Sequence, residues 1–414
     1  MGGIGQAFHS DPLEAALVLV AHHPWLFDRL LDGMAAQPWL FDIFLDQMAN
    51  RPDLFNLLLG EMAAHPQLYD DFLNTVSAHP EMFNMLLGAM AAHPQLYDDF
   101  LNTVGNNPVM FKELLGAMAA HPQLYTDFLT TVGAHPVMFK ELLGAMAAHR
   151  QLYTDFLDTV GAHPVMFKEL LGAMAAHRQL YTDFLDTVGK HPDMFKSLLG
   201  TMAEKQGGQH QLYTDFLDTM DKNPDMFKSL LDTMAHKQGG QHQLYTDFLD
   251  TMDKNPDMFK SLLDTMAHKQ DGQHQLYTDF LDTMDKNPDM FKSLLDTMAH
   301  KQDGQHQLYN SFLDTMGQHP DMFHSLLDTM AQNPVLYNDF LATMSAHTEM
   351  FTTLLDTMAD NRPLYDTFLH GLAAHPTLLT GLLDTMADNR PLYDTFLHGL
   401  AAHPTLLTGL LDTM

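Results

Sequence analysis

Histidine is the residue whose type and placement in this chain most suggest chemistry. The 414 residues include 26 His and 32 Met. A row of imidazoles, paired with thioethers, could bind copper or haem iron. Two ligands on one helix face need a spacing of three or four residues, and no His-x-x-x-His sequence occurs. We therefore expect most of these histidines to be turn or capping residues. Those that directly precede a proline include His65, His79, His93, His121, His135, His163, His191, His319, His375 and His403.

A second set of histidines flanks four inserted polar segments and forms the better candidate for a metal-binding or pH-sensitive edge. The insertions lie near residues 205–209, 237–241, 269–273 and 301–305. The candidate metal ligands beside them are His210, His236, His242, His268, His274, His300 and His306.

Methionine and aspartate recur at fixed places, and both patterns have a structural interpretation. Met118, Met146 and Met174 belong to a row with helical spacing, which predicts core packing rather than metal ligation. Pairs such as Asp215/Asp218 and Asp247/Asp250 share a helix side and could bind a hard cation weakly. A solvated acidic face that keeps a long array soluble is the favoured interpretation.

Composition excludes several classes of function. The net charge of −31 disfavours binding to nucleic acid or to an anionic membrane surface. The absence of Cys excludes disulfides, thiolate zinc sites and iron–sulfur clusters. No apolar run approaches the roughly 18 residues that span a bilayer. No catalytic motif is present, so we expect neither an enzyme nor a resident cofactor, and the compartment stays open.

The elements that carry these residues are tandem repeats. Proline recurs every 14 residues from Pro24 to Pro136, and about 27 such units cover residues 24–414. Apolar residues at positions 3, 4, 7, 8 and 11 of each unit form one face of a helix. A proline at this interval would break a continuous coiled coil, so we predict separate helices of roughly 11 residues joined by turns of two or three.

The ends of these helices are predicted from residues beside the prolines. Five asparagines directly precede a proline and are candidate N-caps: Asn107, Asn223, Asn255, Asn287 and Asn333. Four glycines fit a left-handed C-cap: Gly105, Gly133, Gly161 and Gly189. Arg150 and Arg178 replace proline, which leaves open that two helices run together there.

Two unit types alternate, so the sequence predicts helical-hairpin modules of 28 residues, or 32 with an insertion. The predicted fold is all-α: a two-layer solenoid of about 27 short antiparallel helices. The predicted divisions are a divergent N-terminal unit at 1–23, a regular array at 24–209, an array with Gly-containing loops at 210–319 and an acidic array at 320–414.

Three functions remain for such an array. The leading one is a structural protein that associates with itself end to end into a filament. The last unit carries the ordinary apolar stripe, so its predicted interface residues are Leu406, Leu407, Leu410, Leu411 and Met414. The alternatives are a scaffold that binds peptides or hydrophobic protein segments, and metal or haem binding by His and Met along the array.

Overall fold

The computed structural model describes residues 19, 22–204, 209–236, 241–269, 274–301 and 306–413. Within them lie 27 helices and no strand, which confirms the predicted all-α solenoid of short helices. Residues 205–208, 237–240, 270–273 and 302–305 of the inserted segments, and Met414, lie outside the described residues. The helices are α1 Pro24–Ala36, α2 Pro38–Asn50, α3 Pro52–Ala64, α4 Pro66–Ala78, α5 Pro80–Ala92, α6 Pro94–Asn106, α7 Pro108–Ala120, α8 Pro122–Ala134, α9 Pro136–Ala148, α10 Arg150–Ala162, α11 Pro164–Ala176, α12 Arg178–Lys190, α13 Pro192–Ala203, α14 Gln209–Lys222, α15 Pro224–Ala235, α16 Gln241–Lys254, α17 Pro256–Met266, α18 Gln275–Lys286, α19 Pro288–Met298, α20 Gln307–Gln318, α21 Pro320–Gln332, α22 Pro334–Ala346, α23 Thr348–Asp360, α24 Arg362–Ala374, α25 Pro376–Asp388, α26 Arg390–Ala402 and α27 Pro404–Thr413.

In the regular array each helix is longer, and each connection shorter, than the sequence predicts. Helix α8 has 13 residues and begins with Pro122, whose missing N–H costs nothing at the first helical position. A single residue then joins it to each neighbour: His121 at φ −125° and ψ 85°, and His135 at φ −126° and ψ 73°. His149 has the same kind of conformation, so α9 and α10 stay separate although Arg150 replaces proline.

The predicted asparagine caps are mostly wrong. Only Asn333 of the five accepts a hydrogen bond from the helix it precedes, from Val335 N at 3.1 Å. The others donate backwards, to the carbonyl four residues earlier: Asn107 to Thr103, Asn223 to Thr219, Asn255 to Thr251 and Asn287 to Thr283. Their ψ angles of 71–73° are less extended than the 96° of Asn333, which turns the side chain toward the preceding helix.

The predicted glycine C-caps are also wrong, because all four glycines lie inside helices α6, α8, α10 and α12. Two of them permit close approach of another helix instead. A β-carbon at Gly105 would lie 2.7 Å from Nε2 of His149, and one at Gly133 would lie 2.7 Å from Nε2 of His177.

The chain falls into two compact units, 1–187 with 206–212, and 188–205 with 213–414. In each unit a helix packs mainly on the next helix and on the third helix along the chain, and none of the main contacts between described helices joins second neighbours. A stack of hairpins would join second neighbours. The loop of a helical hairpin takes about two to five residues, and the one-residue connections of the regular array are too short to form such a loop.

Third-neighbour packing buries the repeated apolar face. In α9 the buried side chains are Met138, Phe139, Leu142, Leu143 and Met146.

The predicted four-part division of the chain remains a prediction. None of the described helices is both long and apolar enough to cross a membrane.

Buried tyrosines tie third neighbours together by hydrogen bonds. The Tyr213 hydroxyl donates to the Met258 carbonyl at 3.0 Å, and Tyr245 donates to the Met290 carbonyl at 3.1 Å. Tyr337 and Tyr365 bond in the same way to the carbonyls of Leu378 and Leu406. Burial raises the pKa of the Tyr245 hydroxyl far above its usual range, so the hydroxyl stays protonated and can donate.

Removing one of these hydroxyls should weaken one helix contact. We expect Tyr245→Phe to lower local stability by about 0.5–1.5 kcal/mol, the usual net value of one hydrogen bond. Amide hydrogen exchange in α16 and α19 measures this, because a long array need not unfold as one unit. Tyr153→Phe is the matched control. Its hydroxyl is buried without a partner among the described residues, so the change should be neutral or stabilising, and equal losses would contradict the role of the bond.

Helical glycines with open space around them and helical glycines in close contact with a histidine give a second test. Gly144 has open space around its Cα, so Gly144→Ala should stabilise α9 by about 0.5–1 kcal/mol through helix propensity. Gly133→Ala should lack that gain, because its methyl group must displace the His177 ring. The double change Gly133→Ala/His177→Ala should recover the gain relative to His177→Ala alone. Thermal unfolding of the four variants measures these differences, and equal effects of the two glycine changes would contradict the close approach.

Candidate functional site

The candidate site is an apolar surface on the last three helices, and the chain contains its own control for it. Residues 362–374 and 390–402 have the same sequence and form the equivalent helices α24 and α26. Tyr365 is 8% exposed and Leu369 is 6% exposed, whereas their equivalents Tyr393 and Leu397 are 45% and 44% exposed. The sequence is the same, so the difference comes from the helices that surround each copy.

Helix α27 supplies the cover on α24. The Tyr365 hydroxyl donates to the Leu406 carbonyl, and a β-carbon at Gly409 would lie 2.7 Å from Cε1 of Tyr365 and 3.1 Å from Cδ1 of Leu369. Among the described helices none follows α26 at the third position, so the same face of α26 stays open.

The open surface extends over three helices, because with third-neighbour packing the last three described helices have no later partner among the described residues. We name it the C-terminal apolar face, and it consists of Leu383, Tyr393, Leu397, Leu407 and Leu411, all exposed. Three of these residues were not predicted from the sequence. The prediction placed the interface on the last unit alone, and only the stacking order identifies the contributions of α25 and α26.

The structure shows that some of the predicted interface residues are exposed and others are wholly or partly buried. Leu407 and Leu411 lie on the exposed face, Leu410 is half-buried, and Met414 lies outside the described residues. Leu406 is buried and bonds through its carbonyl to Tyr365. It therefore supports the face from inside the unit.

The first two helices also expose large apolar side chains. We name this the N-terminal apolar face, and it consists of Trp25, Leu30, Trp39 and Ile43. Tryptophan occurs twice in the chain, and both copies lie here. Exposed aromatic clusters are typical of surfaces that contact another molecule.

The histidines beside the insertions mostly face carboxylates of third-neighbour helices. His268 Nδ1 lies 2.9 Å from Asp221, His300 Nδ1 lies 2.8 Å from Asp253 and His274 Nε2 lies 3.1 Å from Asp321.

The other candidate ligands differ in their surroundings. His306 Nε2 lies 3.5 Å from a Glu349 oxygen. His236 Nδ1 lies 2.8 Å from the carbonyl oxygen of Asp232, and His210 is exposed on α14. The side chain of His242 lies outside the description. Among those of these histidines whose side chains the structure describes, His274 is the one brought together with a second histidine and a carboxylate as a three-ligand group, with His319 and Asp321.

The repeated aspartates and methionines that were weighed as metal ligands take part in ion pairing and core packing. In the Asp247/Asp250 pair, Asp247 is buried and accepts a hydrogen bond from Lys196 Nζ at 2.9 Å, whereas Asp250 is exposed. This hydrogen bond raises the pKa of Lys196. The methionine row is buried in the core, at Met118, Met146, Met174, Met202, Met234, Met266 and Met298.

No protein-family model matches the chain, and no curated protein is significantly similar to it in sequence. The class of protein is therefore given by its architecture, a tandem helical-repeat scaffold.

Proposed function

We propose that this chain is a structural repeat protein that associates end to end, with the C-terminal apolar face of one copy covered by the N-terminal apolar face of the next. The observation that supports this most is the comparison of Tyr393 and Leu397 with their buried equivalents Tyr365 and Leu369. The repeat sequence encodes side chains that are packed when a third neighbour follows, and a second copy would supply that neighbour.

The free energy gained by burying the C-terminal apolar face favours a partner surface that is itself apolar. Fully burying a leucine-sized side chain is worth about 1.5–3 kcal/mol, so covering five half-exposed ones contributes on the order of 5 kcal/mol. Association costs about 4–15 kcal/mol in lost freedom of motion. The C-terminal apolar face needs a partner that buries its own apolar groups, and Trp25 and Trp39 are exposed groups of that kind.

The symmetry of such a contact predicts the type of assembly. Two different surfaces that meet head to tail make an open filament unless the rotation closes a ring. The charge of −31 is spread along the repeats and opposes side-by-side contact, which leaves the ends as the easier contact.

Charge placed in the C-terminal apolar face should prevent assembly. We expect the native chain to form species that lengthen with concentration in sedimentation velocity and electron microscopy, and Leu397→Glu to remain monomeric with unchanged helix content. Val165→Glu is the matched control, because Val165 is an exposed valine outside both faces. Monomers of the native chain at high concentration, or equal effects of the two changes, would contradict self-association.

The competing function is a scaffold on which the same face binds an apolar segment of a different protein. It predicts a native monomer, and a complex with an apolar helical peptide that Leu397→Glu abolishes. The repeat fold itself is common to both functions.

A further inference from the structure

Three side chains from two places in the chain meet at the start of α21. His274 directly precedes α18, His319 joins α20 to α21, and Asp321 is the second residue of α21. One ligand atom from each of the three lies within 4.8 Å of the others. The two imidazole rings are 5.9 Å apart between centroids and nearly perpendicular, at 85°.

We propose that His274, His319 and Asp321 bind a divalent transition-metal ion of the Zn²⁺ class. Two imidazoles and one carboxylate are a ligand set that Zn²⁺ and Co²⁺ accept, with water completing a tetrahedron. Bonds of about 2.0–2.2 Å place tetrahedral ligand atoms roughly 3.3–3.6 Å apart, so small side-chain rotations would bring the three ligand atoms to that spacing.

The burial of His274 is a second observation that points to a ligand. Its side chain is 10% exposed, and Nε2 faces Asp321. The other nitrogen, Nδ1, is buried and has no hydrogen-bond partner in the part of the chain that the structure describes. Buried polar atoms without partners are rare in folded proteins, and a bound ion or water is an ordinary explanation for one.

The same trio recurs in looser form one module later. His306 and His347 have rings 6.3 Å apart at 79°, and Glu349 lies 3.5 Å from Nε2 of His306. Both ring nitrogens of His306 are buried without a hydrogen-bond partner among the described residues. In the preceding module, Asn287 occupies the position of His319, so not every module with an insertion carries such a pair of histidines.

Lys269 is the competing cation in the site. Its ammonium group lies 2.6 Å from Asp321, and its half-exposed side chain can move away into solvent. Partial burial raises the pKa of Asp321, but hydrogen bonds from Lys269 and His274 outweigh it and hold that pKa at about 2.

The test is titration of the full chain with Zn²⁺ by calorimetry and with Co²⁺ by visible absorption. We expect one tight equivalent, which His319→Asn weakens by more than about tenfold, since the loss of even a supporting residue commonly costs about 10–100-fold. Asparagine is the residue at the equivalent repeat position, so folding should be retained, and circular dichroism checks this. Lys269→Met should raise the affinity, because the competing cation is gone.

His347→Asn is the matched control and should retain the tight equivalent. Two equivalents, one lost in each variant, would also support the site and extend it to the second trio. Absence of tight binding by the native chain, or binding that His319→Asn leaves unchanged, would overturn the proposal. Because metal binding and end-to-end association are measured separately, either can fail without the other.

Discussion

The packing of each helix on the third helix along the chain is the interaction on which the rest of this structure depends. A 13-residue helix is marginal in water by itself, and these helices have few side-chain caps to help them. Their stability must come from burial of the apolar face. The next helix covers part of that face, and the third neighbour covers the remainder. The tyrosine hydroxyl bonds, the ion pair between exposed Lys196 and buried Asp247, and the close approach of His177 to Gly133 all join third neighbours.

The residue that links two helices has a second role in this arrangement. It interrupts the helix, and at several links its side chain reaches the helix three positions earlier, whereas Asn107, Asn223, Asn255 and Asn287 donate to the helix that they follow. His149 and His177 lie against glycines, Asn361 donates to the Gly317 carbonyl at 2.8 Å, and His403 lies 3.0 Å from Asp356. Histidine and asparagine suit this position because both are short enough for a tight link and carry polar atoms at the tip. The abundance of histidine is thus largely a consequence of the repeat.

The sequence predicted the helices well and their mutual arrangement poorly, for a physical reason. Proline spacing and apolar periodicity are local signals, and they located Pro122 as a helix start and Met146 as a core residue. The choice between second-neighbour and third-neighbour packing depends on the conformation of one linking residue. The amino-acid composition carries almost no information about that conformation. The same limit explains the predicted site. Leu407 and Leu411 follow from the repeat, whereas Leu383, Tyr393 and Leu397 follow only from knowing which helix covers which. His274 was a candidate from its place beside an insertion, but its partner His319 was assigned to the capping histidines.

Function in such an array is best sought where the repeats cease to be equivalent. In the middle of the regular array, every helix has the same neighbours, so a property of one repeat is shared by the others and is already used in packing. Equivalence fails at the C-terminal apolar face, where no described helix follows at the third position, and at His319, where histidine replaces the asparagine of the preceding module. At the C-terminal apolar face, Tyr393 and Leu397 are exposed whereas their equivalents Tyr365 and Leu369 are buried, without any change of residue. At His319, a single change of residue adds a second imidazole beside a nearly buried one. Duplication of a module therefore reproduces the scaffold, while the C-terminal apolar face and the modules with paired histidines give the chain features that most of its repeats do not share.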